Sequence, residues 1–412
     1  MADIIFGSGI SIGTGISITP PPPSAPDAPT VGTATATGET TATVTFTQPA
    51  FDGNSTITSY TATSSPGNIT GTLSQAGSGT ITVTGLTSST SYTFTVTATN
   101  AIGTSSPSAS SNSITTDAPA SGNKVIFGYG TGAGGDKSLT NLVSNAGVVA
   151  NDTAGVGTAR GYLAAAGYGT DKAIFGYGVN GGPTNLVSNT GVVANDTAGV
   201  GTARNGLAAT GYGTDKAIFG YGYNYNAGGA QSITNLVSNT GVVATDTTGV
   251  GTARDSVAAA VYGTDKAIFG YGYSAAAPPN GPTSVTNKVS NTGVVASDTT
   301  GVGTIRYGLA AAGYGTDKAI FGYGAVYGGT VQSMTNLVTN TGVVATDTTG
   351  VGTARSNLAA ATYGADKAIF GYGSTNSGNV SMTNKVSNTG VVAIDTTGVG
   401  TARDKLAAAA YG

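Results

Sequence analysis

Apolar residues recur along this chain with a period of two, in short runs separated by Gly, Pro, Asn, Asp and Ser. In "TATVTFTQP" the apolar positions are Ala42, Val44 and Phe46; in "ITSYTAT" they are Ile57 and Tyr60; in "ITVTGL" they are Ile81 and Val83. "SYTFTVTATNAIGTSSPS" places Tyr92, Phe94, Val96 and Ala98 on one face. Strict alternation bounded by turn residues predicts half-buried strands, and residues 27–117 read as seven of them. Residues 1–19, MADIIFGSGISIGTGISIT, alternate Ile with small polar residues from Ile10 onward. A lone strand cannot bury its apolar edge, so this segment packs on its own chain or adds to a neighbour's sheet. The second alternative makes it a docking peptide through Ile4, Ile5, Phe6, Ile10, Ile12, Ile16 and Ile18. The plainer reading of the segment is a frayed tail. Pro20–Pro23, continued by SAPDAP, read as a stiff stretch, with the linker set at residues 20–26.

Beyond a short linker (118–122), residues 123–412 repeat themselves. K-[VA]-I-F-G-Y-G begins at Lys124, Lys172, Lys216, Lys266, Lys318 and Lys367, at steps of 48, 44, 50, 52 and 49 residues. Between "GYG" and the next "TN" lie 9, 5, 11, 13, 10 and 9 residues, and subtracting each from its step leaves 39 every time. All length variation is confined to one loop per repeat, as in a rigid unit stacked on copies of itself with one face free to vary. Each repeat is expected to hold four strands: a, "LAAAGYG"; b, "KAIFGYG"; c, "TNLVSNTGVVA"; and d, "GVGTAR". The Ala runs are too short between Gly-rich turns to sustain a helix. The first repeat begins at strand b, and an extra strand a, Leu406 to Tyr411, ends the sequence. Pairing the two completes a sixth unit and closes a ring, where an open array would leave an edge unpaired.

Two resemblances attach to these residues. The proline-rich start, the Leu86-to-Tyr92 spacing in "GLTSSTSY" and the run "ATNAIG" resemble a fibronectin type III domain. The resemblance implies a sandwich in which Tyr92 makes the tyrosine corner. The family's core Trp is missing, and Phe46 is expected in its place. The repeat "SMTNKVSNTGVVAIDTTGVGTARDKLAAAAYG" resembles the kelch repeat, with Asp395, Arg403 and the apolar "AIFG" strand in the family's order, over 290 of the 412 residues. The glycine pair is split, as at Gly371, Tyr372 and Gly373, and Val399 stands where the family has Trp. The resemblance implies a six-bladed β-propeller closed by the C-terminal strand. The expected fold is therefore all-β, a sandwich followed by a propeller.

Composition narrows the chemistry. There are 67 Gly, no Cys, no His and no Trp, and charged residues make up 8% of the chain. Without Cys or His, most nucleophile–base pairs and metal sites are gone, and no cofactor or enzyme activity is expected. The net charge of −3 offers no footprint for nucleic acid, although all sixteen Lys and Arg lie at or beyond Lys124. No signal peptide or transmembrane helix is read from the sequence. Glu39 is the only glutamate. Asp152, Asp196, Asp246, Asp298, Asp347 and Asp395 recur at one position, and Asp171, Asp215, Asp265, Asp317 and Asp366 at another. Both sets read as turn residues capping their own backbone, and nothing marks the carboxylate pair a glycosidase needs. "GTGAGG" at 130–135 lacks the helix of a dinucleotide loop.

Two groups of binding candidates remain. Arg160, Arg204, Arg254, Arg306, Arg355 and Arg403 recur at the d-to-a turn. They either bridge to carbonyls or an Asp of the adjacent blade or form a cationic ring for an acidic ligand. The variable loops 223–233, 273–285 and 325–334 are rich in Tyr, Asn, Gly and Ser, residues that make adaptable contacts. The candidates there are Tyr223, Asn224, Tyr225, Asn226, Tyr273, Asn280, Tyr327 and Gln332, with Asn376 and Asn379 in the last loop. Near-identical repeats, low charge and no cysteine resemble bacteriophage virion proteins, of fibre, appendage or decoration type. That resemblance implies a location on the virion exterior, oligomeric in the assembly. Residues 1–19 would contact other virion proteins, and the propeller loops a host surface glycan or protein, with no nucleic acid and no membrane insertion. A bacterial extracellular adhesin with the same modules is the alternative.

Overall fold

The computed structural model describes residues 21–37, 40–87, 90–116, 124–179, 182–275 and 280–412. The segment 1–19 with its seven apolar candidates, Glu39 and the linker 118–122 lie outside the described residues. The chain divides into two compact units, Met1–Pro119 and Ala120–Gly412. The described residues contain strands and turns and no helix.

Unit 1 contains seven strands: β1 (Thr30–Ala36), β2 (Thr41–Thr47), β3 (Ile57–Ser65), β4 (Thr70–Leu73), β5 (Gly79–Thr84), β6 (Ser91–Asn100) and β7 (Ile114–Thr115). They form two antiparallel sheets, ordered β1-β2-β5 and β4-β3-β6-β7. The period-two residues face inward: Ala42, Val44, Phe46, Tyr60, Ile81, Val83, Phe94, Val96 and Ala98 are all buried. Phe46 packs on Tyr60 across the sheets with ring centroids 4.2 Å apart. Tyr92 closes the corner, its hydroxyl accepting from the Thr87 amide at 2.9 Å.

Two features of unit 1 were not read from the sequence. The proline-rich stretch is tied to the sandwich. Ser24 N–H donates to Gly53 O at 2.8 Å, and Asn100 Nδ2 donates to Ser24 O at 2.7 Å. Beside β6, moreover, the chain runs as a serine ladder. Ser105, Ser108 and Ser111 donate from their amides to Ala98, Val96 and Phe94, while their hydroxyls accept from the amides of the same three residues. A three-residue spacing against a two-residue strand keeps each Ser on the sheet edge, as a polyproline-II-like chain does.

Among the described residues, unit 2 contains six three-stranded antiparallel sheets of one pattern, besides shorter sheets formed by its variable loops. In each, an Ala-rich first strand such as Ala208–Tyr212 pairs with a KAIFG second strand such as Lys216–Gly220. That second strand pairs in turn with a TNLV third strand such as Thr234–Val237. One sheet is assembled from both ends of the unit, with Ala407–Tyr411 pairing Lys124–Gly128, which pairs Thr140–Val143. The first strands neighbour one another in the order 164–168, 208–212, 258–262, 310–314, 359–363, 407–411, and the last returns to the first.

Six backbone hydrogen bonds run in a cycle at the start of these strands. Gly206 N–H donates to Tyr162 O, Ser256 to Gly206, Gly308 to Ser256, Asn357 to Gly308, Lys405 to Asn357, and Tyr162 to Lys405, at 2.6–3.0 Å. Small side chains suit the crowded first strands, while Ile and Phe fill the space between sheets. Ile126, Ile174, Ile218, Ile268, Ile320 and Ile369 are fully buried.

The expected fourth strand is not "GVGTAR". The run "SNTG" turns sharply, and the chain returns along the third strand through two isolated bridges per repeat, such as Val237↔Val243 and Thr234↔Thr247. "VVATDT" therefore forms the sheet's outer edge. "GVGTAR" crosses to the next sheet without a ladder, except that Arg403 of the last copy opens the short strand Arg403–Asp404 on Thr131–Gly132; its side chains and carbonyls are committed to the contacts described next.

Candidate functional site

The six arginines are not a ligand-facing ring. All are buried, with relative exposure of 0–2%. Arg254 shows the pattern: Nε donates to Tyr271 O at 2.9 Å, Nη1 to Thr252 O at 3.2 Å and Nη2 to Asn287 Oδ1 at 2.5 Å. Its guanidinium also lies 4.4 Å from the centroid of the Tyr221 ring in the preceding sheet. Asn287 Nδ2 donates to Asp298 Oδ1 at 2.9 Å, and the other carboxylate oxygen accepts from the amide and hydroxyl of Thr252 at 3.0 and 2.6 Å. The same Tyr–Arg–Asn–Asp–Thr clamp joins every pair of adjacent sheets, including Tyr372, Arg403, Asn141, Asp152 and Thr401 at the seam. The buried guanidinium is tolerated because its donors meet two backbone carbonyls and a carboxamide oxygen, with the Asp298 carboxylate 3.8 Å away.

The first aspartate set is thereby corrected too. Asp196, Asp246, Asp298, Asp347 and Asp395 accept from a threonine of the preceding repeat, and Asp152 from Thr401 of the last, rather than capping their own turns. Burial pushes these carboxyls up, but hydrogen bonds from Thr and Asn and the nearby Arg outweigh it and hold them below the usual value. The second set pairs with its neighbouring lysine, as Asp215 does with Lys216 at 2.8 Å.

The tyrosine of each GYG belongs to the clamp. Tyr129, Tyr177, Tyr221, Tyr271, Tyr323 and Tyr372 sit at φ between 61° and 66°, a strained region for a bulky residue. Each hydroxyl donates to the carbonyl of the Val in "GVG", such as Tyr372 to Val399 at 3.1 Å. The preceding glycine permits close approach: a Cβ on Gly220 would lie 2.8 Å from Cζ of Phe269 in the next sheet.

With these groups engaged, concave regions at two places among the described residues offer room for a ligand. One is a cavity of about 330 Å3 at the turns joining first and second strands, lined among others by Tyr168, Tyr212, Tyr314, Tyr411, Thr214 and Lys216. Its lysines are neutralised by the adjoining aspartates, at 2.8 Å for Lys172, Lys216 and Lys318. Nothing in the sequence pointed to it except the shared "GYGTDK" turn.

The second concave region lies at the opposite end, among the variable loops. Four of these loops form short hairpins, such as Tyr223–Asn224 with Gly229–Ala230. The Tyr223 hairpin and Val179 line a groove of about 150 Å3 that also includes Asn205, Tyr225 and Asn226.

The loop candidates separate into free and committed groups. Tyr225 and Tyr327 are exposed, at 71% and 70%, and Asn226, Asn280 and Asn376 are exposed as well. Tyr273 packs edge-on against Tyr307, centroids 5.8 Å apart. Gln332 Nε2 donates to Thr330 O. Asn379 is held between hairpins, donating to Thr131 O at 2.8 Å and to Asp404 Oδ1 at 3.3 Å. Asp404 is buried and Asp255 half-buried at this end, and desolvation raises both carboxyls. Of the candidates, the structure brings Tyr223, Asn224, Tyr225 and Asn226 together, and adds Asn205, which lies just beyond the Arg204 turn and carried no sequence signal.

Among the described residues no group of three His, Cys, Asp or Glu is placed to hold a metal ion, and no helix is long and apolar enough to cross a membrane. No curated protein matches the chain. Residues 27–114 match the family model of the fibronectin type III domain, and with their two sheets and tyrosine corner they are one.

Proposed function

We propose that this chain is a non-enzymatic virion structural protein of a bacteriophage, a fibre, appendage or decoration protein on the particle exterior. Residues 1–19 anchor it to other virion proteins, the fibronectin type III domain serves as a binding or structural module, and residues 123–412 form a six-bladed kelch-like β-propeller. The propeller presents its variable loops to a host surface glycan or protein.

The closed cycle of backbone bonds from Tyr162 to Lys405 and the pairing of Ala407–Tyr411 with Lys124–Gly128 support six blades. The observation that carries the functional reading is the division of labour within unit 2. Its buried charges are spent on holding neighbouring sheets together, whereas all length variation and both highly exposed tyrosines, Tyr225 and Tyr327, lie in the variable loops. A scaffold uniform everywhere but in its loops is suited to display.

The test compares purified particles made with the full chain and with residues 20–412. Mass spectrometry should find the full chain in the particle, and the truncated chain folded but absent from it. Normal incorporation of the truncation would refute the anchor. Absence of the full chain from particles would refute the virion reading.

A further inference from the structure

The geometry points to the groove beside the 223–233 loop as a binding site for a single ring of a neutral saccharide. This inference rests on the reading of the variable loops as a contact surface and names the ligand class of one of them. Two loops of unequal length contribute to the groove, the one that begins at Val179 with five residues in sequence and 223–233 with eleven. Tyr223–Asn226 of the longer hairpin, with Val179 and Asn205, wall a space of about 150 Å3.

The wall is prepared before any ligand arrives. Tyr223 is locked to Asn205 by two reciprocal backbone bonds at 2.7 and 3.0 Å. The Asn224 carboxamide oxygen accepts from the amides of Asn226 and Ala227 at 2.8 and 3.2 Å, which fixes the turn. Tyr225 then rests edge-on against Tyr223, centroids 5.1 Å apart, with 71% of its surface open. A fixed, exposed aromatic ring loses little freedom on binding.

Charge selects the ligand. No acidic residue and no lysine lines the groove. Arg204 beneath it is buried, and its donors are taken by Tyr221 O, Thr202 O and Asn235 Oδ1. Phosphate or carboxylate groups would meet no free cation there. What the groove offers is an aromatic face, whose negative quadrupole attracts polarised C–H groups, beside the exposed amide of Asn226, which both donates and accepts. A ring with an apolar C–H face and hydroxyls around its edge is complementary to that pairing, and the volume limits recognition to about one such ring, the rest of a glycan lying outside.

The experiment titrates the full chain with neutral methyl glycosides of glucose, galactose, mannose, rhamnose and N-acetylglucosamine, read by saturation-transfer NMR. At least one should bind. Binding should weaken by roughly tenfold or more in Tyr225→Ala, remain in Tyr225→Phe because the ring face and not the hydroxyl is used, and be unchanged in Tyr327→Ala. Tyr225 is exposed, so its variants keep the fold, checked by an unchanged melting temperature. Failure of every glycoside to bind, or full binding by Tyr225→Ala, overturns the inference. Capture of peptides through Tyr225 without glycoside binding also overturns the saccharide class. Host-cell adherence that survives Tyr225→Ala but is lost on replacing loop 273–285 overturns this groove while leaving the contact-surface reading standing. Adherence unaffected by any loop replacement overturns both.

Discussion

Nε of Arg403 donates to the backbone carbonyl of Tyr129 at 2.8 Å, a bond between residues 274 positions apart. The same guanidinium covers the Tyr372 ring and bonds Asn141, so one side chain bridges the start and the end of unit 2. Removing it leaves buried acceptors without donors. Arg403→Ala is expected to destabilise unit 2 by roughly 3–5 kcal/mol, read from the urea midpoint. An unchanged midpoint would refute the clamp's role at the seam.

Deleting residues 406–412 removes the strand that pairs with Lys124–Gly128. The exposed edge carries buried Val125, Ile126 and Phe127 beside it, a template for pairing with other chains. Light scattering should show oligomers at micromolar concentration. A monomer with the parent melting temperature would contradict the seam pairing.

Gly220→Ala forces a Cβ against the Phe269 ring and should cost about 1–3 kcal/mol by overpacking. Gly229, with nothing near its would-be Cβ, is the control: Gly229→Ala should stay within about 0.5 kcal/mol. Equal effects at the two positions would argue that the first glycine of GYG is not set by packing.

Stability should fall at both extremes of pH. The six clamp aspartates have carboxyls held below the ordinary 3.8. Their contribution is full above that value and lost as pH falls through the lowered folded values. At the alkaline end, burial pushes the phenols of Tyr177, Tyr221, Tyr323 and Tyr372 from 10.0 up to about 12. The stability linked to them is present below pH 10.0 and lost as pH rises to about 12. Melting temperatures that stay flat below pH 4 would show that the aspartates do not carry the inter-sheet contacts.

Tyr92→Phe deprives the Thr87 amide of its acceptor and should cost unit 1 about 1–3 kcal/mol, with the melting of unit 2 unaffected. Calorimetry of the full chain separates the two transitions. A shift in the second instead of the first would refute the assignment.

The strands of unit 1 were legible because alternation of Val, Ile, Tyr and Phe with Thr and Ser leaves one burial solution per strand. The serine ladder at Ser105, Ser108 and Ser111 was not, since a three-residue period has no apolar partner to mark it. In unit 2 the period, the confinement of variation to one loop and the pairing of Leu406–Tyr411 with the opening strand followed from counting residues. The roles of Arg254 and Asp298 did not. An arginine at a turn reads the same whether it faces solvent or a neighbouring carbonyl.

What the sequence by itself determined, then, was the number of units and which positions vary, because identical repeats must pack identically and insertions fit only where no neighbour objects. Tertiary structure alone decided that "GVGTAR" crosses between sheets rather than forming a strand, and that the arginines are buried rather than offered. It also decided that Tyr223, Tyr225, Asn226 and Asn205 share one groove. Those outcomes depend on what the adjacent sheet places opposite each group, across tens of residues of chain, and local pattern carries no record of that.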